Sequence, residues 1–270
     1  MKRFGIFLLA LMFAASLGGS AWAGDTLAEI KKKGVLVAGV KDSAPPFGYI
    51  DEKTREIIGY DVDFCKAIAK RLGVKLDIKA VTSATRMPQL IAGNVDLVAA
   101  TMTITAERAK QIDFSYTYFL TGQKFLTKKG SVKKLADLEG KKIGTAKGST
   151  SEQNVKKAIP SATILSFDDY ASAFLALQQG KVVAVTTDES MLAGLLGKAP
   201  NKNAFEIPDL RISDEPYGLG VRKGDKALLD FVNATLLEME KSGEAAKIFT
   251  KWFGPKTDTP LQRTFKIKAQ

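Results

Sequence analysis

Short apolar runs alternate with amphipathic stretches along most of this chain, and the spacing of the apolar positions tells the two apart. Val35-Leu36-Val37-Ala38-Gly39-Val40 is apolar throughout and reads as a buried strand. From Tyr60 to Leu72 the apolar residues Val62, Cys65, Ile68, Ala69 and Leu72 recur at helical spacing, and Gly73 stops the helix. Lys75–Val81 reads as a strand, Thr85–Ala92 as a short helix with Ser83 as a possible cap, and Val95–Ala100 as another buried strand. A second series repeats the pattern. It predicts strands at Lys142–Ala146, Ala162–Ser166 and Val182–Thr187, and helices at Ser149–Ala158, Tyr170–Gln179 and Glu189–Gly197. Two helices, Lys226–Lys241 and Ala245–Phe253, close the chain.

Strands alternating with helices give an α/β class. The expected architecture is two doubly wound α/β lobes joined by a two-strand hinge, with crossings near Thr121–Lys128 and Tyr217–Arg222. Lobe 1 then takes residues 24–125 and 219–270, and lobe 2 takes 126–218. Two crossings make a hinge, and a hinged pair implies a cleft that closes on a ligand.

The first 23 residues stand apart. Lys2 and Arg3 precede an apolar run from Phe4 to Leu17, and Ala21-Trp22-Ala23 offers a small–x–small cleavage site. The run falls short of the roughly 20 residues that a spanning helix needs, so residues 1–23 read as a cleaved signal peptide. About 245 residues remain, enough for two cores.

Charge adds one constraint. Without Lys2 and Arg3 the chain carries 38 Lys+Arg against 29 Asp+Glu, a net +9. The lysines are scattered and no basic stripe is studded with aromatics, so a small anionic ligand fits better than nucleic acid. One cysteine forbids an internal disulfide, and Cys65 sits at a core position of its helix. With no histidine, histidine acid–base catalysis is excluded and a zinc site disfavoured; no metal or cofactor is expected.

In open parallel sheets, ligands sit beyond the carboxyl ends of the strands. Those loops hold Lys41, Ser83, Arg86, Thr101, Thr103, Arg108, Ser149, Thr150 and Asp188. Three cations, several hydroxyls and one carboxylate suit a molecule with two carboxylates and one ammonium. Each group has a plainer reading too. Arg108 could grip a carboxylate through two parallel hydrogen bonds, or pair with Glu107 or Asp113 on the surface. Ser149 and Thr150 open a helix whose free N–H groups attract an anion, but Ser149 and Glu152 also have capping-box spacing. Asp188 could accept an ammonium or cap the helix after it. Asp61 and Asp63 bracket a helix start and read as caps. Among hydrolase and nucleotide signals, neither a G-x-S-x-G elbow nor a phosphate-binding glycine loop occurs.

Taken in order, several segments resemble one family: Pro45-Pro46-Phe47, Gly59-Tyr60-Asp61-Val62-Asp63, Gly93-Asn94-Val95-Asp96, Thr103 with Glu107-Arg108, and Phe114-Ser115. Gly148-Ser149-Thr150-Ser151, Tyr217-Gly218 and the ending from Ser242-Gly243 to Lys251-Trp252-Phe253 complete the set. The chain is similar to the periplasmic solute-binding proteins of polar amino-acid ABC importers, bacterial solute-binding family 3. Thr82-Ser83-Ala84-Thr85-Arg86-Met87-Pro88 and Lys41 resemble the glutamate/aspartate binders within it.

The resemblance implies a periplasmic monomer, not an enzyme, that delivers glutamate or aspartate to an ABC permease in the inner membrane. It implies that Arg108 and Thr103 take the α-carboxylate, and that Asp188 and the Thr101 carbonyl take the α-ammonium. Lys41 and Arg86 would hold the side-chain carboxylate, and Ser149 and Thr150 would close over the ligand. Tyr170 stands where some glutamate binders carry histidine. Counting Lys41, Arg86 and Arg108 against Asp188, the expected cleft has charge +2. The rival readings are a glutamine binder and a cyclohexadienyl-dehydratase-like enzyme on the same fold.

Overall fold

A computed structural model describes residues 25–269; the expected signal peptide lies outside them. The chain begins with α1 (Thr26–Lys33), β1 (Val35–Val40) and a small antiparallel flap of β2 (Ser43–Ala44), β3 (Gly48–Ile50) and β4 (Ile57–Ile58). Next come α2 (Tyr60–Leu72), β5 (Lys75–Ala80), α3 (Arg86–Ile91), β6 (Leu97–Val98), α4 (Ala106–Ala109) and β7 (Ile112–Phe114). The second part holds β8 (Phe119–Lys128), β9 (Lys142–Ala146), α5 (Thr150–Ala158), β10 (Thr163–Phe167) and α6 (Tyr170–Gln178). It continues with β11 (Ala184–Asp188), α7 (Glu189–Lys198), β12 (Phe205–Glu206) and β13 (Ser213–Tyr217). The chain ends with β14 (Gly220–Arg222), α8 (Lys226–Lys241) and α9 (Glu244–Phe253).

The strands form two main sheets, ordered β5-β1-β6-β14-β7 and β10-β9-β11-β8-β12, with β13 also on β8. The strands followed by helices run parallel: β5 and β6 beside β1, and β10 and β11 beside β9. The hinge strands run against them. β14 is antiparallel to β6 and β7, and β8 is antiparallel to β11, β12 and β13. Both sheets are thus mixed, a feature the helix–strand rhythm does not carry.

The changeover between sheets also differs from expectation. The first sheet ends at Phe114, and β8 enters the second at Phe119. Residues 119–125 therefore belong to the second sheet, because β8 pairs continuously with β13 and then with β11. The return crossing lies between Tyr217 and Gly220.

Local chemistry accounts for the main elements. In α2 the residues Val62, Cys65, Ile68, Ala69 and Leu72 are all buried, and Gly73 takes a left-handed φ of 71° to end the helix. α8 and α9 return to the first sheet and pack on α1 and α2. There Arg71 pairs with Glu238 and Glu244, and Lys251 with Asp63. An aromatic cluster fills the space where the chain changes sheet. The Phe119 ring lies 4.9 Å from Phe47, 5.1 Å from Phe253 and 5.7 Å from Tyr217. This cluster gathers residues from both crossings and from the last helix, and burial of such rings is the main source of its stability.

Candidate functional site

The parallel strands of the two sheets end toward one another, and the turns beyond them carry the polar residues. Lys41 follows β1, Ser83 and Arg86 follow β5, and Thr101 and Thr103 follow β6, with Arg108 on α4. From the other side come Ser149 and Thr150 after β9, Tyr170 after β10, and Asp188 at the end of β11. The lobes touch here. Gly148 has φ 76°, and a Cβ there would lie 2.8 Å from the Ala84 Cα; one on Gly194 would lie 1.9 Å from the Pro45 carbonyl oxygen. Only glycine permits either approach.

Arg108 spans the gap. Its Nη1 donates to the Thr103 carbonyl at 2.9 Å and its Nη2 to the Gly148 carbonyl at 3.3 Å. The surface pairing with Asp113 is not made, since Asp113 binds Lys223 instead. Arg86 is buried and donates Nη1 to the carbonyls of Ala100 and Thr101, the latter at 2.9 Å. Lys41, also buried, lies with Nζ 5.1 Å from the centre of the Tyr170 ring. Among the described residues, none of these three cations has a carboxylate within ion-pair distance.

The electrostatics follow from that crowding. Burial, then the neighbouring Arg86, pulls the Lys41 ammonium well below its ordinary range. Burial, then Arg108, lowers Arg86 to about 9. Burial lowers Arg108 as well, against the pull of Glu215. Burial, then the Glu215 carboxylate, raises Asp188 to about 7, although Tyr217, Lys41 and Arg86 oppose it. Tyr170 is raised by burial and then by Asp188.

The capping readings fare poorly. Asp188 occupies the N-cap position of α7, yet its side chain makes no cap bond. Oδ2 accepts from the Tyr217 hydroxyl, and Oδ1 has no hydrogen-bond partner among the described residues. Ser149 does not form the capping box; its hydroxyl donates to the Ala146 carbonyl at 2.6 Å. Asp61 does not cap α2 either. It is buried and accepts from the Thr101 N–H at 3.0 Å and the Tyr118 hydroxyl at 2.7 Å. It thereby holds Thr101 at φ 48°, a strained value for threonine. Burial raises the Asp61 carboxyl to about 6. Asp63 binds Lys251 and the Trp252 indole N–H at 2.6 and 2.7 Å. Thr105 does cap its helix, its hydroxyl oxygen accepting from the Arg108 N–H at 3.2 Å.

The ten expected residues do not share one cavity. Lys41, Ser83 and Tyr170 line a crevice of about 10 Å³, whereas Arg108, Ser149 and Thr150 line a separate cavity of about 340 Å³. Arg86, Thr101, Thr103 and Asp188 lie among the buried polar residues. One central group was missed. Glu215, on β13 and 1% exposed, accepts from the hydroxyls of Thr103 (2.6 Å), Thr150 (2.8 Å) and Ser213 (2.6 Å) and from Asn154 Nδ2 (2.8 Å). Its signal was an acid two residues ahead of the Tyr217-Gly218 crossing.

Two hinged α/β lobes that face each other across buried cations, carboxylates and hydroxyls define a protein built to enclose a small polar solute. The chain belongs to the bacterial extracellular solute-binding proteins, family 3, whose profile matches residues 36–255. It is 42% identical over 260 residues to the ABC transporter glutamine-binding protein GlnH of Bacillus subtilis (strain 168), covering 93% of this chain and 94% of that one. It is 36% identical over 247 residues to the glutamate/aspartate import solute-binding protein of Salmonella typhimurium, covering 87% and 82%. Among solved structures, an ancestral arginine-binding protein bound to glutamine superimposes with a TM-score of 0.78 at 45% identity, covering 82% of this chain and 98% of that one.

Proposed function

We propose that this chain is the extracytoplasmic amino-acid-binding component of an ABC importer, and that it binds glutamate or aspartate between its lobes. The observation that supports the acidic ligand is that Lys41 and Arg86 are buried and Arg108 is partly buried, with no ion pair to any of the three among the described residues. A ligand with two carboxylates answers such a set, one at Arg108 and one at the Lys41 end. Thr103 offers its backbone N–H to the α-carboxylate, and Asp188 Oδ1 and the Thr101 carbonyl accept from the α-ammonium. Ser149, Thr150 and Tyr170 enclose the ligand from the second lobe, and Ser83 borders its side chain. Closure joins the halves, and a permease in the inner membrane reads the closed state. The protein is secreted to the periplasm and acts as a monomer. That these relatives are named as transport components favours a binder over a dehydratase-like enzyme.

A second reading, a glutamine binder, has an observation of its own. The buried carboxylates of Asp61, Asp188 and Glu215 equal the three cations in number, so the cleft is closer to neutral than Asp188 alone would make it. The relative at 42% identity is also named for glutamine.

Calorimetry with glutamate, aspartate, glutamine and arginine separates the two readings. Stranding a buried charge costs about 3–5 kcal/mol, or roughly two to three and a half decades of affinity. The acidic amino acids should therefore bind at least tenfold more tightly than glutamine. A preference for glutamine supports the second reading, and a preference for arginine defeats both.

A further inference from the structure

Among the described residues, Glu215 is the one carboxylate in this region whose bonds reach both lobes. Thr103 lies beyond β6 in the first lobe, whereas Thr150 and Asn154 sit on α5 in the second. An ionised carboxylate only accepts hydrogen bonds, so each threonine must spend its single hydroxyl proton on it. Oε2 takes both of these bonds, and Oε1 takes those from Ser213 and Asn154. The carboxylate has four donors and no cation within ion-pair distance among the described residues. Its charge is therefore solvated by hydrogen bonds and not cancelled at contact. It remains felt by its neighbours: it draws on Arg108 and pushes Asp188 upward.

Two consequences follow for a bound amino acid. The cleft carries one negative charge more than its cations and Asp188 imply. The hydroxyls of Thr103 and Thr150 also turn lone pairs, not protons, toward anything beside them. Both effects disfavour extra negative charge on the ligand, and neither hinders an amide.

We propose that Glu215 is a specificity-determining positioning residue, which lowers the preference of this cleft for acidic amino acids relative to their uncharged amides. The proposal rests on the reading of the cleft as an amino-acid site. It does not depend on whether glutamate or glutamine binds better to the wild type, because it concerns the direction in which the ratio moves.

The test is Glu215→Gln, with the glutamate and glutamine dissociation constants measured side by side by calorimetry. At an effective dielectric of about 20, a unit charge acting across about 10 Å is worth roughly tenfold in the binding of another charged group. The ratio of glutamine to glutamate dissociation constants should therefore rise about tenfold. Glu215→Asp, which keeps the charge and shortens the reach to the hydroxyls, should hold the ratio within about threefold of wild type. Glu215→Met supplies a second uncharged variant of similar volume should the glutamine variant fold poorly, and it should shift the ratio the same way. A uniform loss of affinity with an unchanged ratio in the uncharged variants would reduce Glu215 to a structural tie and overturn the proposal. Wild-type protein that takes up neither amino acid defeats the ligand reading itself, and that outcome is visible before any variant is made.

Discussion

At the residue scale, Asp188 carries the clearest pH signature. Its folded pKa is near 7, raised by burial and by Glu215, whereas an unperturbed aspartate titrates near 3.9. A carboxylate raised in this way is neutral below pH 7, and a neutral carboxyl is a poor acceptor for an ammonium. Ligand binding should favour the ionised form and release a proton whenever the free protein still holds one. Affinity should accordingly fall by up to tenfold per unit below pH 7, as Asp188 takes up its proton. Calorimetry at pH 6 and 8, in buffers of different ionisation enthalpy, reads both the slope and the proton release. Asp188→Asn should bind weakly and lose the slope; a slope that survives in that variant assigns the titration elsewhere, with Asp61 near 6 the first suspect. Single residues also mark where the sequence could be read and where it could not. Cys65 announced itself as core through helical spacing alone. Asp61 did not announce its contact with Thr101, because that bond joins positions 40 residues apart. Glu215 was hidden for the same reason, since three of its four donors lie 61, 65 and 112 residues away along the chain.

Elements were legible where their hydrophobic period was strong and their neighbours were local. Helix α2 and strands β1 and β9 fall within a residue of where the spacing puts them. Strand β13, Ser-Asp-Glu-Pro-Tyr, has no strand-like pattern and exists only because it pairs with β8. The start of α5 is an element whose position was readable and whose purpose was not. Its Gly148 fits against Ala84 of the other lobe, and a side chain there would both clash with that backbone and resist the positive φ. Gly148→Val should thus prop the lobes apart and leave each core intact. We expect at least a tenfold loss of affinity for whichever amino acid binds best, together with a far-UV circular dichroism spectrum like that of the wild type. Unchanged affinity would mean that the contact between Gly148 and Ala84 is not part of the binding-competent state.

The whole molecule depends on one aromatic cluster placed where its two halves meet. Phe119 starts β8, Tyr217 ends β13, Phe47 follows β2 and Phe253 ends α9, so the cluster ties together both sheets and the last helix. Two lobes with separate cores could unfold in two steps, but a shared cluster couples them. Phe119 is 1% exposed, and removing its ring would leave a cavity bordered by Phe47, Tyr60, Phe249, Phe253 and Phe265 as well as Tyr217. Deleting a buried phenylalanine typically costs about 3–5 kcal/mol. Phe119→Ala should lower the stability of both lobes together by that amount. Amide hydrogen exchange would show it as matched losses of protection in β1 of the first sheet and β9 of the second. If β9 kept its protection while β1 lost it, the halves would be energetically independent. The cluster would then be a feature of the first lobe, and closure could not draw on it for stiffness at the hinge.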